Sequence, residues 1–140
     1  MSDQARLSHA PAFSAGACRL ADKVDWLRSR QHAGDEAIET HFAWVFLTGD
    51  RAWKLRKPVR RNSMDYGTLE ARRRDSEAEV RLNRRLAPHV YLGTQPLTLE
   101  ADGRLAIGGD GEIVDWLVEM RRLDRRRMLD ERLARRQVSA

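Results

Sequence analysis

The sequence predicts an α+β fold, with an antiparallel sheet of about five strands and one main helix packed on it, plus helices towards both ends. Three observations predict it. The run from His41 to Leu47 (HFAWVFL) and the stretch from Ala52 to Val59 flank a turn, Thr48-Gly49-Asp50-Arg51, and read as a β-hairpin. Residues 68–87 then read as a helix. From Val90 to Met120 the chain reads as a strand meander divided by glycine-bearing turns. Hairpin, helix and meander in that order leave no βαβ alternation, so the strands pair antiparallel.

In chain order, residues 1–19 are small and polar, contain Pro11 and Gly16, and show no period, which suits a mobile arm. Leu20, Val24 and Leu27 recur at helical spacing, with Trp26 beside them, and predict a short amphipathic helix over Leu20 to Arg30. Residues 31–35 break it. The hairpin follows, and alternation along its second strand places Ala52, Lys54 and Arg56 on one face, with Trp53, Leu55 and Val59 on the other. Thr68 is an N-cap candidate for the next helix, and Pro88 stops it. Its apolar positions Leu69, Val80, Leu82 and Leu86 predict the buried stripe. Glu79 precedes Leu82 by three and Leu86 by seven, so it belongs beside that stripe, whereas Glu77 points nearly opposite. An acid on a core-facing edge is costly without a cationic partner.

Beyond the helix, Val90 to Leu92, Gln95 to Leu99, Arg104 to Ile107 and Ile113 to Met120 (IVDWLVEM) read as strand. Ala101-Asp102-Gly103 and Gly108-Gly109-Asp110-Gly111 read as turns. Residues 124–140 read as an arginine-laced helical tail carrying Met128, Leu129 and Leu133.

The chain has 140 residues, 41% hydrophobic and 34% charged, which suits one domain with one core. No run approaches the roughly 18 apolar residues of a membrane span. The N-terminus lacks the apolar segment of a secretory signal. A lone cysteine, Cys18, excludes a disulfide framework and a cysteine-based zinc site. These readings predict a cytoplasmic protein without a membrane partner. The four histidines have no metal-ligand spacing, and no serine has a nucleophile-elbow context, so neither a metal site nor a catalytic residue is assigned.

Net charge is +5. Arginines interleave with acids, as in residues 70–74, 77–85 and 124–136, which describes solvated helix faces rather than a nucleic-acid footprint. All but three of the 26 basic residues are arginine, and two of the three lysines, Lys54 and Lys57, fall in one short segment; the third is Lys23. An ammonium is a compact point charge and a guanidinium a planar fork, so the two are not interchangeable. Ala52-Trp53-Lys54 on a strand, followed by an inward Glu79 on the next helix, is the pair with which kinases hold nucleotide phosphates: the lysine takes the phosphates and the glutamate takes the lysine.

The stretch Glu39-Thr40-His41-Phe42-Ala43-Trp44-Val45-Phe46-Leu47, with Asp50-Arg51-Ala52-Trp53-Lys54-Leu55-Arg56-Lys57-Pro58-Val59, resembles the start of bacterial aminoglycoside phosphotransferase-like proteins, in particular those fused to a P-loop ATP-binding domain. The resemblance runs on through Thr68-Leu69-Glu70, Arg81-Leu82-Asn83-Arg84-Arg85-Leu86-Ala87-Pro88, Tyr91-Leu92-Gly93, Val114-Asp115-Trp116 and Met120-Arg121-Arg122-Leu123. It implies that residues 20–123 form a protein-kinase-like N-lobe and that ATP is the ligand, bound weakly or not at all by the isolated chain. It also implies that Lys54 meets the phosphates, that Glu79 is its partner, and that Glu119 to Arg121 form a hinge whose backbone faces adenine. The family's second lobe carries a His-Gly-Asp-type loop and a metal-binding aspartate, and neither occurs in these 140 residues, nor does a P-loop domain. The chain is therefore expected to need a C-lobe or P-loop partner, with Mg2+ relevant only if a C-lobe is supplied. It is expected not to transfer phosphate alone. A small basic interaction module and a non-functional truncated product are the alternatives.

Overall fold

The computed structural model describes residues 18–61, 64–65 and 67–123. The expected arm over 1–19, apart from Cys18 and Arg19, and the expected tail over 124–140 lie outside the described residues.

Helix α1 (Leu20–Ser29) forms where the apolar period places it. Arg19 caps it, its backbone N–H donating to Asp22 at 2.9 Å, and Asp22 also sits favourably at the positive end of the helix dipole. The next strand, β1 (Glu36–Glu39), was not expected. Its four residues, EAIE, carry one large apolar side chain, Ile38, so no alternation stands out; charged residues on a short edge strand also blunt aggregation there.

Strands β2 (Ala43–Thr48) and β3 (Arg51–Arg56) form the expected hairpin, paired from Ala43↔Arg56 to Thr48↔Arg51. Gly49 opens the loop with φ of 61°, a region that glycine enters without a Cβ penalty. β3 ends at Arg56 rather than Val59, because Pro58 has no N–H to extend the ladder. A two-residue pair, β4 (Arg60–Arg61) with β5 (Met64–Asp65), stands apart from the main sheet.

Helix α2 (Leu69–Asn83) starts at the expected cap: Thr68 Oγ1 accepts the Ala71 N–H at 3.1 Å. Thr68→Ala is expected to cost about 1 kcal/mol, read as a shift of the urea midpoint without a change in slope. The helix stops at Asn83, not at residue 87; Arg84 to Leu86 continue only as turns. Its buried stripe also differs from the expected one. Arg72, Ser76 and Val80 face inward, while Leu82 and Leu86 are 57% and 58% exposed. Leu82 lies two residues, about 200°, past Val80, so one face cannot hold both.

Strand β6 (Tyr91–Leu99) is continuous where two short strands were expected, with register shifts between Tyr91 and Gly93 and between Leu97 and Thr98. β7 (Leu105–Ile107) and β8 (Glu112–Arg121) complete a six-stranded antiparallel sheet in the order β1-β2-β3-β8-β6-β7, against the expected five or so. Gly108 to Gly111 form the expected turn. The N–H groups of Asp110 and Gly111 donate to Glu100 at 3.2 and 3.1 Å, so this glycine-rich loop is closed on a side chain of its own sheet.

Alternation sorts the core into two layers. Val24 and Leu27 of α1 pack with Phe46, Leu55 and Leu117 on one face, under the partly buried Trp44 and Trp53. Val80 of α2 packs with Val45, Ala52, Val118 and Met120 on the other. A helix thus covers each face, where one packed helix was expected. Among the described residues no helix is long and apolar enough to cross a membrane.

Candidate functional site

β3 lies between β2 and β8 in the sheet, with Lys54 opposite Val45 on one side and Val118 on the other. Its backbone is therefore held on both edges, and its side chain leaves on the Ala52 side, towards α2. Lys54 Nζ donates to both carboxylate oxygens of Glu79, at 3.0 and 3.1 Å, within the separation of about 4 Å expected for an ion pair. The two side chains are 14% and 9% exposed. Each charge offsets part of the desolvation cost of the other. Glu79 reaches inward because it stands three residues past the buried Ser76, not because it flanks Leu82 and Leu86. Glu77, on the far side of the helix, pairs with Arg73 at 3.2 Å.

Five further participants were not expected from the sequence. Arg56, two residues along β3, donates to Glu79 and lies 2.9 Å from Asp75, so one helix edge supplies two carboxylates to two strand cations. Asp115 is 1% exposed and accepts from Lys23 of α1 and Arg72 of α2, both at 2.9 Å. It lies on β8 beyond the last β3–β8 pair, Leu55↔Leu117, where side chains from both helices reach it. Together these two clusters set the cations Lys23, Lys54, Arg56 and Arg72 against the carboxylates of Asp75, Glu79 and Asp115, of which Asp75 is 29% exposed. The third lysine, Lys57, pairs with Glu39 at 2.6 Å near the Trp44 ring.

The structure does not bring the side chains of Glu119 and Arg121 to this pair. Glu119 is opposite Trp53, on the α1 face, and bonds Arg51 at 3.0 Å and Gln95 at 3.3 Å. Arg121 is exposed and donates to the His89 carbonyl at 3.1 Å. The next residue, Arg122, is fixed more firmly: its guanidinium meets Asp35 at 2.6 Å and the carbonyls of Gly34 and Gly49 at 2.9 and 3.1 Å.

The backbone N–H of His32 and the Arg122 side chain hold the Asp35 carboxyl below its usual range. A carboxylate with a depressed folded-state pKa stabilises the fold above its unfolded pKa, and that contribution is lost as pH falls through the folded value. Acid unfolding should therefore show an Asp35 component below about pH 4, the ordinary carboxylate value. Asp35→Asn should be less stable than the parent at pH 7 and should lose less on acidification. Parallel pH titrations of the urea midpoint measure both.

Burial pushes the Cys18 thiol above its ordinary pKa, which disfavours a thiolate nucleophile at neutral pH.

Three uncharacterized mycobacterial proteins are similar to this chain: two from strains of Mycobacterium tuberculosis and one from Mycobacterium bovis. Each is 46% identical to it over 65 residues, a stretch that is 46% of this chain and 13% of the relative. The chain thus matches only a small part of much longer proteins. No family model and no solved structure matches it.

Proposed function

We propose that this chain is the nucleotide-binding N-lobe of an aminoglycoside phosphotransferase-like kinase, and that Lys54 is its phosphate ligand. The observation that carries the reading is the Lys54–Glu79 pair. A central-strand lysine, in a chain with only three lysines, is gripped through both oxygens of a helix carboxylate and stays 14% exposed. Glu79 orients the ammonium, and ATP phosphate oxygens approach it from the exposed side. Ala52, next along the same face and fully buried, keeps that face low in relief beside the lysine. The +5 charge adds a favourable long-range field for a polyanionic ligand. Glu119 to Arg121, expected as a hinge, are the last residues of β8 and pair with Trp53, Ala52 and Arg51 of β3, so the reading rests on Lys54 and Glu79.

Calorimetric titration of the 140-residue chain with ATP tests the reading. A charge-assisted hydrogen bond to an ionised partner is worth about 1.5–3 kcal/mol, so Lys54→Ala should weaken binding about 10- to 100-fold. Absence of binding by the parent, or equal binding by the variant, would remove the proposal.

Phosphoryl transfer also requires a base and a metal aspartate in addition to the lysine. The 140-residue chain alone is therefore expected to consume ATP at the background rate with aminoglycoside, sugar or protein acceptors. Turnover that Lys54→Ala abolishes would contradict that expectation.

A further inference from the structure

On the flank of α2 turned away from Lys54, a groove of about 390 Å³ runs between the helix and β6. Glu77, Val80, Arg81 and Arg84 line it from the helix, and Gly93 and Thr94 from the strand. The helix residues follow the spacing i, i+3, i+4, i+7, so they form one continuous wall. We propose that this groove binds a small phosphate monoester through Arg81, Arg84 and Thr94.

Arg81 is the first reason. The other arginines of α2 are engaged: Arg72 by Asp115, Arg73 by Glu70 and Glu77, and Arg74 by Glu70. The Arg81 side chain is exposed and makes no hydrogen bond or ion pair among the described residues. Arg84, by contrast, is pre-positioned, because its guanidinium donates to the carbonyls of Tyr91 and Leu92, the first at 3.1 Å. A fixed guanidinium and an unengaged one, seven and four residues on from Glu77, present two planar forks to one space. Thr94 adds a hydroxyl from the opposite wall. Donors on two facing walls suit a tetrahedral phosphate better than a planar carboxylate.

Two features oppose an anion here, and both are weaker. The carboxylate of Glu77 lines the groove, but Arg73 already holds it at 3.2 Å. The C-terminal end of the helix contributes about half a negative charge, against two full positive ones. That dipole accounts for arginines near the end of α2, but not for the groove between them and β6. The volume exceeds that of a phosphate alone, which leaves room for an esterified group, and Glu77 offers an acceptor for its hydroxyls.

The site is independent of the ATP reading, and the test separates the two. Amide spectra of the 140-residue chain are followed during titration with inorganic phosphate, with glycerol 3-phosphate and with acetate, at constant ionic strength. Saturable shifts centred on Arg81 and Thr94 are expected with both phosphates, the ester binding at least as tightly. Arg81→Ala, an exposed position that keeps the fold, should weaken that binding at least tenfold, whereas Lys54→Ala should leave it unchanged. Non-saturating shifts, equal shifts with acetate, exclusion of the ester, or an Arg81→Ala variant that binds like the parent would each overturn the proposal.

Discussion

Replacing Asp115 with alanine is expected to destabilise the chain by about 3–5 kcal/mol, the cost of leaving buried charge without its partner. Lys23 and Arg72 are 7% and 6% exposed and share the Asp115 carboxylate, so its removal takes that carboxylate from two buried cations at once. Such a loss is a large part of the 5–15 kcal/mol that holds a domain of this size together. The same reasoning predicts that the triple variant Lys23→Met, Arg72→Met, Asp115→Leu regains most of the loss, because apolar side chains of similar volume carry no desolvation penalty. Urea unfolding of the two variants decides the matter. A mild effect of Asp115→Ala would mean that water reaches the triad, and a triple variant as unstable as the single one would mean that packing rather than charge is at stake.

Glu79→Ala and Lys54→Ala should differ sharply, although they cut the same ion pair. Glu79 serves both Lys54 and Arg56, and its loss takes that carboxylate from two largely buried cations, of which Arg56 keeps Asp75. A cost of about 2–4 kcal/mol follows, below the fully buried figure because the lysine keeps some contact with solvent. Lys54→Ala removes one cation and leaves the glutamate with Arg56, so about 1 kcal/mol is expected. Equal destabilisation by the two variants would show that Arg56 does not support Glu79. The asymmetry makes Lys54→Ala the usable variant for ligand binding.

The hairpin, the helix after it and the last strand were legible in the sequence because each carries its own local signal. Ala43 to Thr48 is apolar and β-branched, Thr68 caps, and residues 112–121 hold an apolar run. The meeting of Lys54 with Glu79 was anticipated, but only the strand half of the argument holds: alternation directs Lys54, whereas Glu79 faces inward beside Ser76 and not beside the exposed Leu82 and Leu86. β1 was not, because Glu36 and Glu39 hide a strand whose only large apolar anchor is Ile38. The inner face of α2 misled in the opposite sense. Apolar content pointed to Leu82 and Leu86, yet the helix buries Arg72 and Ser76, and only tertiary ion pairs make that face tolerable.

Asp115 shows why such a network escapes sequence reading. Its partners stand 92 and 43 residues away on two different helices, so no spacing rule connects them. Within IVDWLVEM it looks like the solvent-facing acid of a strand. Arg56 is hidden for a related reason. Alternation does place it on the Lys54 face, but nothing local says that α2 offers a second carboxylate, Asp75, one turn before Glu79.

The proposed contact of Lys54 with the phosphates of a bound nucleotide is directly measurable, because the chain has three lysines. An acyl-phosphate derivative of ATP transfers its acyl group to an amine lying against the phosphates, releasing the nucleotide, and peptide mass spectrometry locates the modified lysine. Lys23 is buried against Asp115 and Lys57 is paired with Glu39, so neither is presented to a nucleotide held by the Lys54–Glu79 pair. Acylation of Lys54, suppressed by excess ATP, is the predicted result. Acylation of Lys57 alone, or labelling of Lys54 that excess ATP does not suppress, would contradict it.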